Sequence, residues 1–240
     1  MLILLTLIAL ASSTIAGTFG FGGGMLLVVA LSFILPPATI IPIHATVQLA
    51  SNSSRVVLDW RSAYLPFVRK HFVGSVIGVA AAFTLFRQLD LSWLPLIIAT
   101  YILLHVWWKP FSDWLARFES LYVLGGVQSG IALLTGAPGP IPLPFLLKNL
   151  PDRHQVVITL AVFMTVGHLL KLAVFIPAGF NFAAFWREIL CMCLAAVGGS
   201  VIGTHLRYKL EADRFVWIAR WLLTLLAAAA ILKVVIAQLS

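Results

Sequence analysis

Four polar side chains punctuate one apolar stretch of the chain: His44, Gln48, Asn52 and Arg55. Spacings of four, four and three residues put them on one face of a helix. A polar face on an apolar helix must look into the protein or a cavity, because lipid exposure is costly. His44, Gln48 and Asn52 can donate hydrogen bonds, and Arg55 adds a fixed positive charge. That is the chemistry of a wall along which an anion passes. The competing use is helix–helix hydrogen bonding, with Arg55 reaching to the cytoplasmic surface. A second apolar stretch carries His168 and Lys171, three apart and again on one face. Lys171 lies deepest in an apolar run, which makes it a candidate charge partner for an anion. Gln128 is a further candidate.

Two breaks interrupt the apolar runs. The first reads Gly17-Thr18-Phe19-Gly20-Phe21-Gly22-Gly23-Gly24-Met25. Glycine lets backbone approach a ligand closely and adopt positive φ. A helix starting here presents free N–H groups and the positive end of its dipole, so an anion could rest on Gly22, Gly23 and Gly24. A bulky residue at Gly23 is then expected to abolish flux without preventing insertion. The alternative is a tight helix crossing eased by glycine. No strand or βαβ unit surrounds these glycines, which excludes a dinucleotide fingerprint. The second break reads Thr135-Gly136-Ala137-Pro138-Gly139-Pro140-Ile141-Pro142. Proline has no N–H, so this tip should act mainly as a rigid wall, with Thr135 and Gly136 as its expected contacts.

All acidic residues (Asp59, Asp90, Asp113, Glu119, Asp152, Glu188, Glu211 and Asp213) fall in or beside expected loops. Proton pumps and cation carriers usually place a carboxylate inside the membrane. Here the intramembrane polar groups are basic or neutral, which favours a negatively charged substrate. No metal-ligand cluster, Ser/His/Asp set or carboxylate pair is present, so no catalytic residue, metal site or cofactor is expected and the chain does not read as an enzyme. Cys191 and Cys193 point in different directions on one helix and read as buried, apolar-like thiols. His105 and His205, near helix ends, read as packed or interfacial histidines, and the tryptophans as interface residues.

The elements that must position these groups follow from composition. Hydrophobic residues form 61% of the 240 and charged residues 10%, with a mean hydropathy of +1.04. Apolar segments fall at about 2–17, 22–35, 38–57, 70–86, 91–108, 120–136, 140–147, 154–177, 183–206 and 214–236. Several approach the ~20 residues of a spanning helix. The N-terminal run lacks a basic start and is read as mature protein rather than a signal peptide. The net charge of +8 sits mostly in short loops and offers no basic surface for nucleic acid.

The chain also repeats itself. Gly74-Ser75-Val76-Ile77-Gly78 returns as Gly199-Ser200-Val201-Ile202-Gly203, and each half follows the same order of helix, break, short arm and three helices. If every segment pair around a break spanned as one helix, Lys and Arg would divide almost evenly between the two sides. If each break reverses the chain, one side collects Arg55, Arg61, Arg69, Lys70, Lys109, Arg117, Lys148, Arg153, Arg207, Lys209 and Arg214, and the other only Arg87 and Arg187. The second is a strong positive-inside bias. The expected fold is an all-α polytopic membrane protein forming one transmembrane domain over 1–240. It has two inverted repeats, about 1–112 and 113–240, each a Gly/Pro-broken hairpin of short helices plus three transmembrane helices. Both termini are expected outside, with the two break tips approaching each other near the midplane.

Three features together resemble the sulfite exporter TauE/SafE family of transporters: Gly20-Phe21-Gly22-Gly23-Gly24-Met25-Leu26-Leu27-Val28, Asp59-Trp60 after the polar helix, and the duplicated Gly-Ser-Val-Ile-Gly. The resemblance spans nearly the whole chain, but the second break departs from the glycine-rich pattern typical of the family. It implies a secondary transporter that moves sulfite or an organosulfonate across the cytoplasmic membrane. The anion would be held between the tips by Gly22, Gly23, Gly24, His44, Gln48, Asn52, Arg55, Gln128, Thr135, Gly136, His168 and Lys171. Other readings of the residues are a passive anion channel, or else a membrane enzyme or assembly factor. Expected partners are a small anion and the lipid bilayer, with no nucleic acid. A homo-oligomer is compatible with the sequence and not required by it.

Overall fold

The computed structural model describes residues 1–206 and 212–239. Arg207, Lys209 and Glu211 therefore lie outside the described residues. The described chain forms eleven α-helices: α1 Leu2–Phe19, α2 Gly23–Ile34, α3 Pro37–Leu58, α4 Leu65–Phe86, α5 Leu94–Trp107, α6 Lys109–Ala116, α7 Leu121–Thr135, α8 Leu143–Asn149, α9 Arg153–Phe175, α10 Trp186–Leu206 and α11 Ala212–Leu239. Four are long and apolar enough to cross a membrane: α1, α4, α9, and α10 with the turn before it. At 22 and 28 residues, α3 and α11 also have spanning length. The protein is an all-α, multi-pass membrane protein.

Both breaks form where expected, for the expected local reason. Gly20 closes α1 in the left-handed conformation at φ 87°, its N–H bonded to Ala16 O, and Gly22 at φ 89° starts α2. Gly136 and Gly139 take φ 81° and 74° around the prolines of the second break. The second arm of the first hairpin, α2, has 12 residues and that of the second, α8, only 7. Neither reaches across a ~30 Å hydrocarbon core at ~1.5 Å per residue.

The region after Trp108 differs from the expected loop. Pro110 starts a helix instead of ending one, because the first turn of a helix leaves its N–H groups unbonded anyway. The resulting α6 turns 87° from α5 and buries Leu115. The two cysteines are half-buried rather than buried.

Close packing explains the duplicated pentapeptide. A Cβ on Gly74 would run into the Tyr122 backbone, and one on Gly78 into Gly126, both on α7. A Cβ on Gly199 would strike Leu10 O and one on Gly203 Thr14 O, both on α1. Each copy thus lets its helix touch the first arm of the hairpin in the other half of the chain. Such backbone-to-backbone approach is how small residues hold helices together in lipid. The larger contacts follow the same exchange: α1 packs on α10, α4 on α7, α3 on α9 and α5 on α11. The polar helices α3 and α9 therefore face each other, between the two breaks.

Candidate functional site

The site grows from α3. Arg55 is buried, only 3% exposed, and its Nη1 donates to Ala16 O in the last turn of α1 at 2.8 Å. Its Nη2 donates to Asn52 Oδ1. Because Arg can only donate, this contact fixes which end of the Asn52 amide is oxygen. Asn52 Nδ2 then donates to Gln48 O at 2.7 Å and to Gln48 Oε1 at 3.3 Å. That in turn fixes the Gln48 amide, whose Nε2 is buried with no hydrogen-bond partner. The relay begins at a cation and ends in an unsatisfied donor, which costs about 1–3 kcal/mol when buried.

His44 continues the same face. Its Nε2 lies 3.0 Å from Gly24 O, which ties α3 to the first turn of α2. Opposite, on α9, His168 stands edge-on to His44 with ring centroids 5.7 Å apart. Lys171 is fully buried and donates to Gly136 O at 2.7 Å. Each buried cation therefore caps the carbonyl end of one hairpin's first arm, Arg55 that of α1 and Lys171 that of α7. A cation there complements the negative end of the helix dipole. No Asp or Glu is buried among the described residues.

The two breaks meet. A methyl placed on Gly24 would lie 3.6 Å from the Gln48 amide carbon and 3.7 Å from the Ala137 methyl. Between them is a cavity of about 50 Å³. Gly22, Gly24, His44, Gln48, Asn52, Arg55 and His168 line it, with Ala137 to Pro140 as the facing wall. A smaller void of about 10 Å³ lies behind Pro138, Met164 and His168, which border both spaces. Gln128, Ser129 and Lys171 line this second void, whose size suits about one water.

Three expected contacts lie elsewhere. Gly23 turns its α-carbon to α1, where a Cβ would collide with Ser12 O and Ala16. A bulky residue there breaks helix packing, so it does not test the site as expected; Gly24 does. Thr135 spends its hydroxyl on Ile131 O within its own helix, at 2.9 Å. Gly136 offers Lys171 a carbonyl and packs against Val28 of α2.

Sequence reasoning missed Tyr101, and read His105 as packed without its neighbours. Tyr101 donates to Pro138 O, and His105 stacks on Tyr101 and packs against Gly139. It also missed His71, fully buried, stacked on Phe163 at 3.8 Å and bonded to Gln128 Oε1 at 2.8 Å. The pair His71 and Ser75, four apart in an apolar helix, was the available signal. Asp59 bonds His154 at the start of α9 and accepts from Ser62 at 2.7 Å. The His154 bond, then the Ser62 hydroxyl, hold the Asp59 carboxyl below the usual carboxylate range.

The profile of the sulfite exporter TauE/SafE family matches residues 5–230. The chain belongs to that family. TauE/SafE proteins are transporters rather than enzymes, and the multi-pass helices fit that role. No curated protein and no solved structure matches the chain.

Proposed function

We propose that this TauE/SafE-family chain is a secondary transporter for a small sulfur-containing anion, sulfite or an organosulfonate, bound between the two chain breaks. The observation that carries this reading is the relay from Arg55 through Asn52 to Gln48 Nε2, a donor aligned by a cation and lacking an acceptor. The oxygen of an anion is the partner it needs. The first-turn N–H groups of α2 add to it, since Gly22 caps that helix without any side-chain bond. His168 adds hydrogen bonding from α9, and Lys171 adds positive potential from the smaller void behind it, which Gln128 also lines. Exchanged packing of the two halves supports an inverted-repeat reading, in which repeats of about 1–112 and 113–240 rock around the site. The charge bias supports both termini outside the cytoplasmic membrane.

The test is counterflow of labelled sulfite in liposomes, competed by sulfate, taurine and sulfoacetate. Saturable counterflow is expected; unitary currents would mark a channel instead. Gly24→Leu fills the space between Gln48 and Ala137. Overpacking of about 1–3 kcal/mol there should reduce flux by about tenfold or more. Undiminished flux in a folded Gly24→Leu protein would remove the breaks from the site.

A further inference from the structure

His44 uses one ring nitrogen to hold α2 and leaves the other without a partner among the described residues. The Gly24 carbonyl can only accept, so the His44 Nε2 that meets it at 3.0 Å carries the hydrogen. A neutral His44 then holds its lone pair on Nδ1. That atom is buried, has no hydrogen-bond partner, and lies next to Gly136 in the second break. Across from it the Nδ1 of His168 is also buried without a partner. A bare lone pair repels an anion's oxygen, whereas an imidazolium N–H makes a charge-assisted bond to it.

The converse also holds. The charged and titratable groups facing His44 are Lys171 and His168 from α9; on its own helix, Arg55 acts on His168. From α2 it meets the Gly24 carbonyl, and in the second break its Nδ1 lies beside Gly136. No buried carboxylate is present among the described residues to balance an imidazolium at His44. The ring therefore needs the anion when it holds a proton, and that proton adds a charge-assisted bond to those the anion takes from Gln48 and the α2 N–H groups. Two ligands that each improve the other's binding are thermodynamically coupled.

We propose that the anion and one proton occupy the centre together, the proton on His44 Nδ1, so that the protein is a proton–anion symporter. The proton enters from the same aqueous side as the anion and leaves with it on the other. His44 returns neutral with the empty site. This inference rests on the anion site proposed above.

The experiment uses purified protein in liposomes loaded with a pH-sensitive dye, with the membrane voltage clamped by potassium and valinomycin. The probes are methanesulfonate and thiosulfate, neither of which takes up a proton near neutral pH. Anion uptake should acidify the lumen in a fixed ratio of one proton per anion. In His44→Gln the amide can still bond Gly24 O but holds no proton; flux should drop, and what remains should carry none. If sulfite alone is carried, the ratio in His44→Gln is read against the unsubstituted protein at one external pH, where protonation of sulfite itself is common to both. Anion flux without acidification in the unsubstituted protein overturns the inference, whether or not the variant is active. A His44→Gln protein that keeps the full proton ratio also overturns it. Absence of counterflow for every anion fails the parent reading instead, and the inference falls with it.

Discussion

The first chain break is built from glycine and the second from proline, and the two hold the centre by opposite means. At the first, Gly20 and Gly22 turn the backbone so that a 12-residue helix starts with uncapped N–H groups at the cavity. Arg55, at Ala16 O, and His44, at Gly24 O, tie it to α3. At the second, three prolines remove donors, and the following helix has 7 residues. Side chains of two helices hold that break: Lys171 of α9 at Gly136 O, and from α5 Tyr101 at Pro138 O and His105 against Gly139. One break presents backbone to a ligand; the other is a braced wall. A site between them needs both, because the donors must stay pointed at a fixed place.

The largest expected effect comes from closing the gap that lets the first hairpin fold. Gly23→Leu should leave little folded protein, since the new side chain meets the Ser12 backbone with nowhere to move. Monodisperse protein on size exclusion measures this, and a normal yield would mean the two arms are not tightly paired. Next, Arg55→Met should weaken the anion's half-saturation by about 2–3 kcal/mol, as loss of a buried charge partner does. Lys171→Met should cost more stability than affinity, because Lys171 lines only the smaller void. Equal affinity losses in both would erase the distinction between donor and wall.

A smaller change is expected for Tyr101→Phe, which removes one hydrogen bond from the second break. It should lower stability by about 1 kcal/mol in thermal unfolding, with flux little altered. A large flux defect would make the wall part of the binding surface. Smallest is Asp59→Asn, remote from both breaks. The folded carboxyl titrates below its ordinary range, so its contribution is present at neutral pH and disappears as pH falls through that lowered value. Asp59→Asn should flatten the acid side of the stability–pH curve and leave the neutral side slightly lower; an unchanged acid slope would detach Asp59 from His154.

Much of this was legible from residue order. The stripe from His44 to Arg55 could be read because helical period alone decides which side chains share a face. The breaks could be read because glycine and proline act on their own backbone. The bracing of Pro138 by Tyr101 could not, since 37 residues separate the partners and neither type demands the other. Nor could the packing of Gly23, whose neighbour on α1 is settled only when the hairpin closes. Lys171 shows the boundary within one residue. Its burial followed from the apolar run around it, but its bond to Gly136 O depends on how α9 meets α7.

By itself, the order of residues determined the membrane helices, the two interruptions and the excess of buried positive over negative charge. These are local or compositional properties and survive any arrangement of the helices. Tertiary structure alone decided that Arg55 and Lys171 face separate spaces, and which nitrogens and amides are left without partners among the described residues. Hydrogen-bond satisfaction is a property of pairs, and the pairs here join helices far apart in the chain.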